Sequence, residues 1–294
     1  MTLAARKFFN TPPDLLTAQM EQEFFTSIMG KNKTYKTTYH DRFPEIDQLL
    51  ARQVRAGAMR ASHVLDVGVS SGISTLELFT ALSADGNDVN MVATDVLIDA
   101  DIVGVAPGCH ALIDKSGFPL MFDVFGMGVK PWITAADYKN GAFVLRKLTN
   151  VLFTSIARRV LDHPNDDRVK HVQLITPRLS AQRKISVCHD DIAQYNARFA
   201  GRFDLIRAAN ILNKNYFEND TLIAMIGNLK RYLTGDGGCL LVVRTRENST
   251  NHGTLFRMGG NGSFEAATRF GDGSEIEDIV LRSQSAAACS RDDC

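Results

Sequence analysis

Four short stretches hold residues whose type and spacing could do chemistry. In HVLDVGVSSGIST, residues 63–75, a run of β-formers leads through Asp66 to Gly68 and Gly72, four positions apart. A glycine loop between a strand and a helix usually holds a ligand, because glycine permits the tight turn and the helix start offers unpaired N–H groups. A dinucleotide site would need a middle glycine so that the backbone can approach a pyrophosphate, and Ser70 stands there instead. The lysine of a phosphate-binding P-loop is also missing, since Ile73 and Ser74 occupy the Lys-Ser/Thr positions. The loop therefore suits a carboxylate better than a diphosphate. Ser70 and Ser71 add hydroxyls, and Asp66 could take a cationic amine directly or through water.

The other three stretches each follow an apolar run. VNMVATD ends at Asp95, 23 residues after Gly72, where such sheets read ribose hydroxyls with an acid. KISVCHDD ends in the pair Asp190 and Asp191. FDLIRAANILNKNYF carries Arg207 inside a strand pattern, followed by Asn210, Asn213 and Tyr216. A charge at Arg207 requires either a ligand carboxylate or a structural acid, and the sequence leaves both open. Asn213 and Asn215 are read first as caps of the next helix and second as substrate contacts. Tyr35 and Tyr39, in a polar stretch near the start, are read as a surface loop that could also fold over a ligand. A ligand with both an amine and a carboxylate, such as S-adenosylmethionine, would suit Asp66 and the loop together. A nicotinamide dinucleotide is opposed by the missing glycine.

The totals narrow the classes. The chain has 294 residues, with 33 Lys+Arg against 33 Asp+Glu and no basic stripe, which argues against a nucleic-acid binder. Its five cysteines include no CxxC pair, and His40, His110 and His189 are isolated, so no metal site is expected. No apolar run reaches the length of a membrane span, and no secretory pattern opens the chain. A cytoplasmic location is expected.

The elements that must position these residues alternate. Strands read at HVLDVG (63–68), VNMVATD (89–95), KISVCHDD (184–191), RFDLIRAAN (202–210) and GGCLLVVRT (237–245), with helices between, predict a mainly parallel α/β sheet covered on both faces. GTLFRM, SFEAATRF and EIEDIVLR are read as short antiparallel strands at one edge. Residues 1–60 are read as a helical cap, with one helix capped by Thr11 and another from Pro44. Residues 61–283 are read as the main domain, and residues 284–294 as a disordered tail. Residues 101–180 interrupt the rhythm as an inserted hairpin and helix. The hairpin turns at DKSG, and the helix places Val144, Leu148, Val151, Leu152, Ile156 and Val160 on a face expected to pack on a sheet or lid the site. Phe118, Met121, Phe122, Phe125, Met127 and Trp132 are expected mainly to pack the hairpin, and otherwise to shape an apolar substrate pocket.

Taken together, VLDVGVSSGIS, ATDVLID, VCHDDI, FDLIRAANILNKNYF and LTGDGGCLLVVRTREN resemble the S-adenosylmethionine-dependent methyltransferases of Rossmann-like fold. The nearest likeness is to the chemotaxis-receptor glutamate methyltransferases. The resemblance implies that Asp95 binds the ribose and that Asp190 or Asp191 lies beside the adenine. It also implies that Asn210 follows the strand facing the methyl group and that Tyr216 lies near the reaction centre. The function expected is methyl transfer from S-adenosyl-L-methionine to a small, partly apolar metabolite, leaving S-adenosyl-L-homocysteine. Three alternatives remain: intramolecular displacement releasing methylthioadenosine, carboxyl methylation of a protein, and a non-catalytic binding protein.

Overall fold

The computed structural model describes residues 2–31, 35–36, 39–133, 137, 142–163 and 166–283; the expected tail, with Cys289 and Cys294, lies outside them. In chain order the first elements are strand β1 (Thr2–Leu3), helices α1 (Ala5–Asn10), α2 (Ala18–Phe25) and α3 (Pro44–Arg55), and strand β2 (His63–Val67). Next come α4 (Ile73–Leu82), β3 (Asn90–Asp95), β4 (Asp99–Ala106), β5 (Cys109–Asp114), β6 (Pro119–Val124) and β7 (Met127–Val129). Then follow α5 (Ala142–Leu161), β8 (Val169–Gln173), α6 (Pro177–Ser180), β9 (Ile185–His189) and β10 (Leu205–Ala209). The last are α7 (Asn219–Tyr232), β11 (Cys239–Thr245), β12 (Asn251–Met258), β13 (Phe264–Phe270) and α8 (Glu277–Arg282). These pack as two compact units.

One unit comprises Asp41–Val69, Ser74–Val96 and Arg183–Cys294, and is built on a seven-stranded sheet of order β13-β12-β11-β10-β2-β3-β9. The five strands from β11 to β9 run parallel, and β12 and β13 extend the β11 side antiparallel. Strands such as CLLVVRT read as nearly continuous apolar runs because both of their faces are covered. Leu65, Ile206, Leu240 and Val242 share a core with Leu222, Met225, Ile226 and Leu229 of α7. The chain steps outward from β2 to β3 and β9, then returns to β10 on the other side of β2. That reversal opens a crevice at the carboxyl ends of the strands. This is the Rossmann-like α/β sheet expected, antiparallel edge included. EIEDIVLR, however, is not a strand. Its last six residues form α8, and Ile276 and Val280, four apart, both enter the core.

The other unit comprises Met1–His40, Ser70–Ile73 and Leu97–Gln182. Its six-stranded sheet, of order β1-β7-β6-β5-β4-β8, is antiparallel throughout. The expected hairpin is its β5–β6 pair, and Asp114 organises the turn by accepting bonds from the Ser116 and Phe118 amides and the Ser116 hydroxyl. Alternate residues serve opposite layers. Ile102, Leu112 and Met121 pack with Phe8, Phe24, Phe25 and Ile28 of the N-terminal segment. Val103, Ile113 and Phe122 pack with Ala157 and Val160 of α5. The sheet of the inserted region is thus the middle layer of a sandwich, with α1 and α2 on one face and α5 on the other.

Three expectations change here. Thr17, not Thr11, caps a helix, its hydroxyl accepting from Met20 N–H, and a 3-10 turn at Pro13–Leu15 separates α1 from α2. The start of the chain is not all helical, because β1 pairs with β7. The apolar stripe of α5 is split: Ala157 and Val160 are buried, whereas Leu148 and Val151 are 63% and 59% exposed. Phe153, Ile156 and Leu161 pack with Ala157 and Val160 against the sheet, so it is the second half of the helix that meets the core. Val160→Ala should therefore cost on the order of 2 kcal/mol in chemical denaturation. Leu148→Gln should change stability by less than about 0.5 kcal/mol. The reverse ranking would mean that the two faces of α5 are exchanged.

Candidate functional site

The centre of the seven-stranded sheet is electrically unusual. Arg207 of β10 and Asp66 of β2 are register partners, so their side chains leave the sheet on one face. Arg207 is 1% exposed. Its Nε and Nη2 donate to the two Asp66 carboxylate oxygens at 2.9 and 2.6 Å. Its Nη1 lies 3.5 Å from Asp47 Oδ1 of α3, and the Phe43 ring lies beside the guanidinium. Arg207, expected among the catalytic residues, is instead the core of a buried ion triad. Asp66 has both oxygens on Arg207, so it does not present a carboxylate to take an amine directly. Burial raises Asp47 from its ordinary 3.8 to about 7, against the attraction of Arg207 and with help from the negative charges of Asp66 and Glu77.

The glycine loop leaves β2 through an alternation of left-handed residues, Gly68, Ser70 and Gly72, at φ 69°, 55° and 77°. Such alternation curls successive N–H groups into an anion-binding concavity. Gly68 and Val69 both donate to the Thr94 carbonyl. A Cβ on Gly68 would lie 2.6 Å from Ile211 Cδ1, and one on Gly72 would lie 2.6 Å from Leu179 Cδ2, so neither position admits a side chain. Further round, the Ser70 carbonyl accepts from Lys36 Nζ at 2.8 Å and the Ser71 carbonyl from Thr176 N–H at 2.8 Å. The hydroxyls of Ser71 and Thr75 are fully buried and have no hydrogen-bond partner.

At the next strand ends the acids divide in role. Asp95 ends β3, and its carbonyl accepts from Asp190 N–H at 3.3 Å. Asp191 spends its carboxylate on a turn, accepting from Ala193 N–H at 3.0 Å. Asp190 is 9% exposed; its Oδ1 accepts from Asn196 Nδ2 at 2.8 Å, while its Oδ2 is buried without a partner. Burial, opposed by the Asn196 bond, raises its pKa.

Beyond β10, Asn210 adopts φ 61° and its Oδ1 accepts from Thr245 N–H at 2.8 Å. Asn213 caps no helix. It is buried in a tight turn, its Oδ1 accepting from Asn215 N–H and its carbonyl from Tyr216 and Phe217 N–H. Tyr216 is 64% exposed. Tyr35 and Tyr39 belong to the six-stranded unit, where both are exposed and Tyr35 meets Trp132 edge-on at 6.0 Å. Of the insertion's apolar residues, Met121 and Phe122 are core, whereas Phe125 and Met127 are exposed.

The sequence reading passed over Asp47, Lys36, Glu21, Thr176 and Arg178. Asp47 sits on the buried face of α3 beside Ile46 and Leu50, which is the one local hint that an acid there has a partner. Lys36, buried here, is indistinguishable in sequence from the solvated lysines around it. Among the described residues no cluster of three His, Cys, Asp or Glu could hold a metal ion, and no helix is long and apolar enough to cross a membrane.

Fold and loop together define a Rossmann-like α/β protein with a ligand-type loop at the reversal of strand order. No protein-family profile and no curated protein matches the chain. Similar solved structures include the CMeT domain of the citrinin polyketide synthase, 14% identical over 64% of this chain and 30% of that one, with a TM-score of 0.30. The CurJ carbon methyltransferase is 14% identical over 69% and 35%, with a TM-score of 0.32. The N-methyltransferase NodS of Bradyrhizobium japonicum WM9, with S-adenosyl-L-homocysteine, is 15% identical over 70% and 64%, with a TM-score of 0.31. This chain thus spans less than two thirds of the length of each of them. Likeness at this level assigns neither ligand nor substrate.

The ion triad makes a pH prediction. The folded chain holds the Asp47 proton up to about pH 7, whereas an unfolded aspartate releases it near 3.8. Between those values only the unfolded group ionises, so stability falls as pH rises from about 4 to about 7 and is level above. Asp47→Asn removes that titration, so its unfolding free energy should gain on the wild type from pH 5 to pH 7 and gain no more above pH 7. The gain should be on the order of a few kcal/mol. A wild-type advantage that grows with pH would show that Arg207 outweighs burial.

Proposed function

We propose that the chain binds S-adenosyl-L-methionine and transfers its methyl group to a small, partly apolar metabolite. The observation that carries this reading is the buried, unpartnered Asp190 Oδ2, set after β9 and beside the end of β3. An orphaned buried acceptor is costly unless a ligand donor satisfies it. The exocyclic amine of an adenine is such a donor, and Asp95 at the end of the neighbouring strand suits ribose hydroxyls. Between the two residues the resemblance left open, Asp190 is the better adenine partner, because Asp191 is engaged in its turn.

The residues present fit the rest of the ligand. The curled N–H groups of Ser70–Gly72 and the start of α4 favour a carboxylate, and Lys36 adds positive charge at the Ser70 carbonyl. The Ser71 hydroxyl can donate to the same group. The sulfonium supplies an electrophilic methyl; the chain's task is to hold the acceptor in line with it and exclude water. We assign that positioning to Asn210, whose Oδ1 is fixed by Thr245 so that its Nδ2 can donate, and to Tyr216, whose hydroxyl can accept a hydrogen bond from the acceptor group. Asn213 stays as a further acceptor contact, and Tyr35 and Tyr39 stay as acceptor contacts proposed on the sequence alone.

The test is calorimetric titration with S-adenosyl-L-methionine, S-adenosyl-L-homocysteine and NAD, followed by mass spectrometry of the incubated samples. The sulfonium and its demethylated product should bind saturably and NAD should not. Asp190→Asn and Asp95→Ala should each weaken binding about tenfold. Release of methylthioadenosine would replace transfer with intramolecular displacement, and binding without turnover would leave a sensor. No binding of either compound sinks the reading.

A further inference from the structure

Within the six-stranded unit, a fully buried carboxylate meets polar partners from two separate segments. Glu21, on the inward face of α2, accepts from the Thr176 hydroxyl and from Nε and Nη2 of Arg178, with Nε at 3.0 Å. His40 Nε2 lies 2.9 Å from its Oε2. A buried ion pair of this kind is weak support for stability, since a well-packed apolar group of the same volume often does as well. What it fixes is geometry, and the fixed group is Thr176.

Thr176 is the residue whose N–H holds the Ser71 carbonyl, and its hydroxyl also accepts from Arg178 N–H, capping α6. One turn on, Leu179 fills the space over Gly72, with Ile175 nearby. Two of the three middle residues of the loop are therefore set from the 175–179 segment. The rotamer of Thr176 and the place of Arg178 are in turn set by Glu21. Resting on the proposed binding function, we propose that Glu21 is a positioning residue for the ligand loop. Through Thr176 it holds the Ser71 peptide so that the loop's N–H groups stay aimed at the ligand carboxylate, and it touches no ligand itself.

The experiment compares Kd for S-adenosyl-L-homocysteine in the full chain across four variants, each with its unliganded melting temperature. Glu21→Gln replaces an acceptor oxygen with an amide facing Arg178 or Thr176. Thr176→Val keeps the shape and the backbone N–H but removes the link to Glu21; Thr176→Ser restores it. Val160→Ala, in the core against α5, supplies a destabilised control remote from these bonds. Glu21→Gln and Thr176→Val should raise Kd about tenfold, with Thr176→Ser and Val160→Ala within about twofold of the wild type. If Glu21→Gln does not fold, Thr176→Val against Thr176→Ser still decides. Glu21→Gln and Thr176→Val binding as tightly as Val160→Ala would overturn the positioning role while leaving the binding function intact. A wild type that binds neither compound would overturn both.

Discussion

The seven-stranded unit depends on how it accommodates one guanidinium. Arg207 sits in a central parallel strand with 1% exposure, and an isolated charge there would be prohibitive. Its neutralisation requires Asp66 to lie directly opposite on β2, and Asp47 arrives beside it from α3. A one-residue slip between β2 and β10 would send one partner to the other face and strand both charges. Apolar strands such as CLLVVRT tolerate alternative registers far better. The triad therefore contributes specificity more than net stability, and it forces residues 41–60 to join this unit.

Register fixed at that point carries through to the strand ends. With Ala208 opposite Val67, the residues after each strand are also matched, and Ile211 comes to rest over Gly68. On the other side of β2, Val67 pairs with Thr94, whose carbonyl takes both Gly68 and Val69 N–H. One strand further, Asp95 pairs with His189, so Asp190 begins directly beside it. The geometry of the acids is thus inherited from sheet register, which an ion triad buried one layer below enforces.

Much of this was legible in the sequence because it is local. The glycine loop, the parallel strands and the acid at 95 are each written within a dozen residues. What was not legible depends on distant partners. The second sheet closes by pairing Thr2 and Leu3 with Gly128 and Met127, and a two-residue strand has no period to detect. Arg207 gave no sign of which acid would meet it, since Asp47 lies far back along the chain. The EIEDIVLR segment fits either period, and only the joint burial of Ile276 and Val280 decides for a helix. The stripe on α5 was right for Ile156 and Val160 and misled for Val144, Leu148, Val151 and Leu152, because apolar spacing marks a face without marking how much of its length is covered.

The residue at the middle of the loop bears most directly on the proposed ligand. Three positions, 68, 70 and 72, require φ near +60°, and glycine is free there at all of them, yet the middle one is serine. A non-glycine residue in this region is held at a cost of about 1 kcal/mol or more, and it persists only where its surroundings over-determine it. Here Lys36 on the Ser70 carbonyl and Thr176 on that of Ser71 do so. A Cβ at that point keeps a ligand from the closest approach to the backbone. A pyrophosphate needs that approach, whereas a carboxylate needs only two or three aligned N–H groups and gains from hydroxyls nearby. Under the proposed binding function, a side chain at position 70 favours a carboxylate over the diphosphate that a glycine would admit.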